Sequence, residues 1–351
     1  MKKSRGLIGV LAVSGLVFYA GIMGCSNSSG SGGGGVSAGA ASAAAPIIMK
    51  AACTNPPDSY QTNALRDISN IVKEKTTGAI DIQVFPASQL GEQRDYLEGL
   101  RMGTLEIALV GTGFLEGFES RFCIFDIPFV FENHDHMFRF LASDICQKLL
   151  DDFRTEQGFR HLLLADEGLR HVWTTNVEIK SLQDFKKLNI RVPEIPLYVN
   201  MFKTLGANPV PLGLGDVYTG LQTGIINAFE NGVENVVTIK LDELLKVNNV
   251  SNHVYSLISV LTSEKVFASL SKEHQDILVA AGKEAEKNVF TVFDKLEKER
   301  YATLASRGIK TVEFPPQLMD QIRDTVKNVS RELLKGLYDY DEVIKLALSL
   351  R

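Results

Sequence analysis

From Ile47 onward, short apolar runs alternate with longer stretches of helical periodicity, and that alternation restricts the fold more than any other feature of the chain. Ile47–Ala52 is a brief apolar run closed by Asn55-Pro56-Pro57-Asp58, and Leu65, Ile68, Ile71 and Val72 then mark one face of a helix over 62–75. Ile80 to Val84 alternates as a half-buried strand, 96–102 is helical, and Leu105 to Val110 reads as a buried strand opening on Gly111-Thr112-Gly113. Strands and helices in turn imply an α/β sheet with helices on its faces. The 351 residues allow about two domains.

The first 45 residues are of another kind. They carry Lys2, Lys3 and Arg5, no acidic residue, and 11 of the 29 glycines. A positive start followed by the weakly polar run Leu7–Gly24 reads as an export signal, with a plain cleaved signal or an uncleaved single membrane anchor as the alternatives to a lipoprotein signal. Of residues 26–45, 18 of 20 are Ser, Gly or Ala, which gives a flexible tether with an end-to-end span of about 25 Å. The run closes on Ile22-Met23-Gly24-Cys25, which resembles a bacterial lipoprotein signal. That resemblance implies cleavage after Gly24 and lipid on Cys25, so that residues 1–24 are signal, 25–46 are lipidated cysteine and tether, and the protein is a periplasmic lipoprotein held to a membrane. Cys53, Cys123 and Cys146 sit in apolar or mixed stretches and are expected to be buried thiols, with a Cys123–Cys146 bridge as the alternative.

Formal charge is 37 minus 42, or −5, and becomes −8 once the three N-terminal cations are removed with residues 1–24. Nothing in that balance favours nucleic acid as a partner. No cofactor is implied: Gly111, Gly113 and Gly117 lack dinucleotide-loop spacing, and no phosphate loop, nucleophile elbow or zinc-helix motif occurs. His134 and His136 lie two apart with no third ligand near, which fits a solvated helix start better than a metal site. An enzyme acting on an acid is disfavoured for want of a nucleophile, base or metal constellation.

Chemistry concentrates instead on cations set among apolar residues. Arg170 follows Leu162-Leu163-Leu164 by a few residues at a strand end, and Arg191 lies inside Leu188-Asn189-Ile190-Arg191-Val192-Pro193. A buried cation needs a partner, either a ligand or a protein carboxylate such as Glu194, Asp216 or Glu230. Ile225 to Asn231 reads as a strand whose period places Asn227, Phe229 and Asn231 on one face.

At these residues the chain resembles the extracytoplasmic solute-binding proteins of tripartite ATP-independent periplasmic (TRAP) transporters, the DctP family. The resemblance rests on an ordered series: Val84-Phe85-Pro86-Ala87-Ser88-Gln89-Leu90-Gly91, Leu188 to Pro193, Leu205-Gly206-Ala207-Asn208-Pro209-Val210-Pro211, Val217 to Gly224, and Glu230-Asn231. It implies a two-lobed periplasmic-binding-protein fold with mixed sheets, inter-lobe crossovers and a long bridging helix, here Ser271 to Ser306. Lobe one would be 47–168 plus 257–296, and lobe two 169–256 plus 297–351. It implies no enzymatic activity, an organic-acid ligand, and small and large membrane permease subunits as partners. Carried over, Arg191 is the carboxylate clamp, Arg170 a second arginine reaching the ligand, and Asn231 a hydrogen-bonding asparagine.

The sequence departs from the commoner family pattern at Leu214, Ile195 and Asn227-Ala228-Phe229-Glu230-Asn231-Gly232. With Phe114 and Phe229 these positions suggest a pocket with one charged end and an apolar body, favouring an aromatic or hydrophobic monocarboxylate over a dicarboxylate or sugar acid. Glu194 and Trp173 complete the candidate ligand-contacting set.

Overall fold

The computed structural model describes residues 45–351, so Cys25 and most of the expected signal and tether segments lie outside the described residues. In chain order the first lobe contains β1 (Ile47–Ala52), α1 (Tyr60–Lys75), β2 (Ile80–Phe85), α2 (Gln93–Met102), β3 (Ile107–Gly111), α3 (His134–Leu141), α4 (Asp144–Asp152) and β4 (Phe159–Leu169). The chain then enters the second lobe with β5 (His171–Thr174), β6 (Asn189–Val192), α5 (Pro196–Thr204), β7 (Asn208–Pro211), α6 (Val217–Gln222), β8 (Ala228–Asn231), α7 (Val233–Thr238) and β9 (Val247–Val250). It continues through β10 (Tyr255–Ser263), α8 (Glu264–Ser269), α9 (Lys272–Ser306), β11 (Lys310–Glu313), α10 (Pro316–Leu334) and α11 (Tyr340–Ser349).

Each lobe is organised on a mixed sheet. The first has strand order β2-β1-β3-β10-β4 and the second β11-β9-β5-β8-β6-β7. Strand β10 runs antiparallel to β3 and β4, although β1 is parallel to both its neighbours. All nine residues of β10 are buried, as expected for a central strand covered on both faces. The chain passes between sheets at Arg170, between β4 and β5, and again through Ser251–Val254. The two crossings are joined by backbone: Arg170 N–H donates to Val254 O (2.9 Å) and His253 N–H to Arg170 O (3.3 Å).

The helix foreseen from Ser271 is α9. Ser271 caps it, its hydroxyl accepting from His274 N–H at 3.2 Å. Along the first part of the helix, Leu278, Ala281, Ala285 and Val289 join the first-lobe core, with Phe293. Near its end Leu304 packs in the second-lobe cluster with Trp173 and Phe229, and Arg300 Nε donates to Glu234 Oε2 on α7 at 2.7 Å. Gly282 lets the helix lie on β4: a Cβ there would fall 2.1 Å from Leu162 O.

Three expectations need correction. Residues 297–351 do not all belong to the second lobe. Leu318, Ile322 and Val326 of α10 pack with α5 residues, but Leu334, Val343 and Ala347 join the first-lobe core, so α10 is a second bridging helix and α11 returns to the first lobe. His134 does begin α3, under the cap of Asn133, and stays partly exposed, yet His136 is not solvated. His136 is 1% exposed with Nε2 2.7 Å from Ala347 O, and His134 Nδ1 lies 2.8 Å from Asp166 Oδ2. Finally, the strand at 225–231 begins only at Ala228. Asn227 turns away, donating to Lys187 O and accepting from Asn189 N–H, both at 2.9 Å. Cys53, Cys123 and Cys146 are free and buried.

Candidate functional site

The cleft lies where the two sheets meet. From the first lobe come Thr54, Asn55, Gln93, the loop Gly111–Phe114, Asp126, Glu167 and Ser256–Ile258. From the second come Arg191, Pro193, Ile195, Tyr198, Leu214, Asn231 and Asn235, with Arg170 at the crossover. The cavity between them is about 40 Å³. A larger solute enters only if the lobes or their side chains part. An amide chain crosses the gap: Asn55 Nδ2 donates to Asn235 Oδ1 (3.3 Å), and Asn235 Nδ2 donates to Asn231 Oδ1 (3.0 Å) and Glu167 Oε1 (3.3 Å).

The two arginines singled out in the sequence have different surroundings. Arg170 forms a two-toothed pair with Glu230, Nε to Oε2 and Nη2 to Oε1 both at 2.8 Å, and Nη1 reaches Glu167 at 3.4 Å. Its guanidinium also lies 4.9 Å from the centre of the Tyr198 ring. Burial opposes its charge, but Glu230, Tyr198 and Glu167 outweigh it and raise its pKa. For Glu230, burial pushes the carboxyl up, while Arg170 and a hydrogen bond with His253 bring it below its ordinary value. Arg170 therefore lines the cleft, where an arginine reaching the ligand was expected, but with its charge already matched inside the protein by Glu230.

Arg191 is as buried, at 3% exposure, yet less satisfied. Its Nε donates to Leu212 O at 2.7 Å, and no carboxylate stands within 4.0 Å among the described residues. Glu230 is taken by Arg170, and Glu194 and Asp216 are exposed. Burial lowers Arg191 to about 10, against the pull of Glu230. At neutral pH it keeps its proton and lacks a counterion in contact. Parallel pairing of β6 with β8 sets Arg191 beside Phe229, whose ring centre lies 5.6 Å from the guanidinium carbon.

Of the remaining sequence candidates, Asn231, Phe114, Ile195 and Leu214 line the cleft. Three do not. Phe229 and Trp173 are fully buried in the cluster behind the sheet, and Trp173 Nε1 donates to Asn231 O at 2.9 Å, so Trp173 positions that strand end. Glu194 is exposed and faces an outer hollow with Arg94, Arg101 and Glu116. With Phe229 and Trp173 removed, the apolar body expected for the pocket shrinks, and Thr54, Asn55, Gln93, Asp126, Asn235 and Ser256 make the lining largely polar.

Sequence reading passed over Asn55, Tyr198, Asn235 and Asp126. Asp126 carried a usable signal, since a lone carboxylate in Cys123-Ile124-Phe125-Asp126-Ile127 raises the same question as Arg191. Burial, joined by the charges of Glu116, Glu167 and Glu230 and opposed by Arg170, pushes Asp126 up to about 7. Among the described residues, no cluster of His, Cys, Asp and Glu is arranged to hold a metal ion, and no helix is long and apolar enough to cross a membrane.

Known proteins share this sequence and architecture. The profile of bacterial extracellular solute-binding protein, family 7 (DctP), matches residues 51–336. The 2,3-diketo-L-gulonate-binding periplasmic protein YiaO of Escherichia coli is 29% identical over 292 residues, covering 80% of this chain and 87% of its own. A TRAP periplasmic solute-binding protein from Xanthobacter autotrophicus, solved with bound β-D-galacturonate, superposes with a TM-score of 0.80 at 26% identity, covering 86% of this chain and 100% of that one. The sugar acid binding protein DctPAm from Advenella mimigardefordensis, in complex with galactonate, gives 0.81 at 25% identity, covering 87% and 97%. A family match over most of the chain, on two mixed sheets enclosing a polar cleft with one uncompensated arginine, has one consequence: the chain belongs to the DctP family of TRAP solute-binding proteins.

Proposed function

We propose that this protein captures a hydroxylated monocarboxylate of the sugar-acid class outside the cytoplasm and delivers it to the small and large membrane subunits of a TRAP permease, without chemical change. One observation carries the reading: Arg191 is buried, charged and short of a carboxylate, at a cleft whose other walls offer amides and hydroxyls. A guanidinium presents a planar fork that takes a carboxylate through two hydrogen bonds. Asn231, Asn235 and Asn55 stand where hydroxyls would need partners, and Tyr198 and Phe114 supply faces for the carbon skeleton. The relatives bound to galacturonate and galactonate support this reading over an aromatic acid. Closure of the lobes over the solute would exclude water and strengthen each of these contacts.

Delivery depends on location, and we assign Cys25 as the lipid-bearing residue on the strength of the Ile22-Met23-Gly24-Cys25 junction and the tether behind it. The wild type should partition with membranes and incorporate labelled fatty acid. Cys25→Ala should do neither; labelling of Cys25→Ala would remove the assignment.

Thermal shift tests the ligand class. Galacturonate, galactonate and glucuronate should each be compared with indole-3-acetate, phenylacetate and succinate, since a ligand at 100 times its dissociation constant adds about 2.7 kcal/mol of stability. Shifts with the hydroxylated acids that vanish in Arg191→Ala are expected. Shifts confined to the aromatic acids or succinate, or unchanged binding in Arg191→Ala, would overturn the reading.

A further inference from the structure

Asp126 ends the short helical turn Ser120–Asp126 and faces the cleft with only 3% of its surface exposed. No hydrogen bond or ion pair engages its side chain among the described residues. Glu167, the other carboxylate in the lining, is engaged by both Asn235 and Arg170. The loop opposite is shaped around the unengaged group. A Cβ on Gly113 would fall 2.2 Å from Asp126 Oδ2 and 2.9 Å from Ile195 Cδ1, so the carboxyl fills the room left by the glycine, close to where the second lobe meets the first.

We propose that Asp126 is the specificity-determining residue of the cleft, its carboxyl taking a hydroxyl of the bound acid while Arg191 holds the carboxylate. The proposal rests on the reading of Arg191 given above. A carboxyl that loses its contact with water when a ligand fills the cleft costs free energy unless the ligand bonds to it, and a ligand hydroxyl can both donate to it and accept from it. An acid without hydroxyls would bury Asp126 and leave it unbonded, which is a penalty against that ligand.

A second anion beside the bound carboxylate brings a charge problem that Asp126 resolves by protonation. Arg170 attracts its charge; Glu116, Glu167 and Glu230 repel it, and Tyr198 and Cys123 also face it. With the carboxyl pushed up to about 7 by burial, a proton is readily taken up near neutral pH. An arriving anion disfavours the ionised form further, so capture takes up part of a proton from solution, at most one per site. By linkage, affinity rises as pH falls through about 7 and weakens above it.

Calorimetric titration of galacturonate, galactonate and glucuronate at pH 6 and pH 8, in buffers of different protonation enthalpy, reads both effects in the wild type, Asp126→Asn, Asp126→Ala and Arg191→Ala. The wild type should bind about three- to tenfold more tightly at pH 6, with measurable proton uptake. Asp126→Asn, which keeps the shape and a hydrogen-bonding group, should bind with neither pH dependence nor uptake. Asp126→Ala should bind at least tenfold more weakly. If the acids bind and Arg191→Ala abolishes this, but both Asp126 variants retain the wild-type affinity and pH profile, this inference fails alone. Should none of the three acids bind the wild type, the proposed function fails and takes the inference with it.

Discussion

Arg170 and Arg191 are the same residue type at nearly the same burial, 5% and 3% exposed, on the same cleft. At the seam between the lobes, Arg170 is matched by Glu230 through two 2.8 Å hydrogen bonds, and His253 holds that glutamate from the other side at 3.1 Å. At the end of β6, Arg191 has one backbone carbonyl. The first arrangement raises an arginine pKa despite burial, and the second lets burial lower it to about 10. Burial alone thus says little about what a cation does. The supply of protein carboxylates decides whether its charge is matched inside the protein, as at Arg170, or left without a counterion, as at Arg191.

The comparison can be broken most directly at Arg170. Arg170→Ala strands Glu230 in the seam and should cost about 3–5 kcal/mol of folding stability, read by denaturant unfolding without ligand. The double variant Arg170→Met with Glu230→Met should recover much of that loss, because Glu230 is no longer left unpaired, although Glu167 loses its contact with Arg170. Failure to recover would mean that the seam depends on more than charge matching. Arg191→Ala should show the converse pattern: ligand-free stability within about 1 kcal/mol of wild type, or above it, and affinity for the solute weaker by about 2–5 kcal/mol. A large loss of ligand-free stability in that variant would move Arg191 into the same class as Arg170.

The pH dependence of ligand-free stability carries an effect of the same order as the arginine changes, about 4 kcal/mol for a carboxyl moved from about 3.9 to about 7. Asp126 titrates near 7 when folded and near 3.9 unfolded, so the folded state holds the extra proton between those values. Its contribution is present below about pH 4, is lost as pH rises toward 7, and then levels off. His161 and His171, lowered by burial to about 3, act in the opposite sense, costing stability as pH falls below about 6.5. The wild type minus Asp126→Asn difference between pH 4 and 8 separates the two, and a flat difference would show that Asp126 is not held neutral. A smaller effect sharpens the picture. Asn235→Ala removes the amide that links Asn55, Asn231 and Glu167 across the cleft, and should weaken solute binding by about 1–2 kcal/mol, less than either arginine change.

Much of the scaffold was legible because its signals are local. Strand–helix alternation gave the α/β class, Ser271 marked the start of α9, and the ordered family segments placed Arg191 on a strand end. What escaped depends on partners distant in sequence. Arg170 meets Glu230 60 residues away, and no periodicity encodes that meeting. Phe229 and Asn231 do alternate with Glu230 as period two requires, yet Trp173 and Leu304 cover the Phe229 side, so an aromatic taken as lining is packed behind the sheet. The return of α11 to the first lobe is fixed by His136 and Ala347, 211 residues apart.

The route of the chain sets a mechanical limit on how such a protein opens. Two loops and two helices pass between the lobes, at Arg170, at Ser251–Val254, along α9 and along α10. Any rotation must be taken up by all four at once. At 1.5 Å per residue, α9 is about 52 Å long, and bending it to a radius of about 100 Å turns its ends through about 30°. Gly282, the one glycine in α9 and a place where the helix could otherwise yield, is pressed against Leu162. A rotation of the lobes would thus be spread along the helix as flexure rather than concentrated at Gly282.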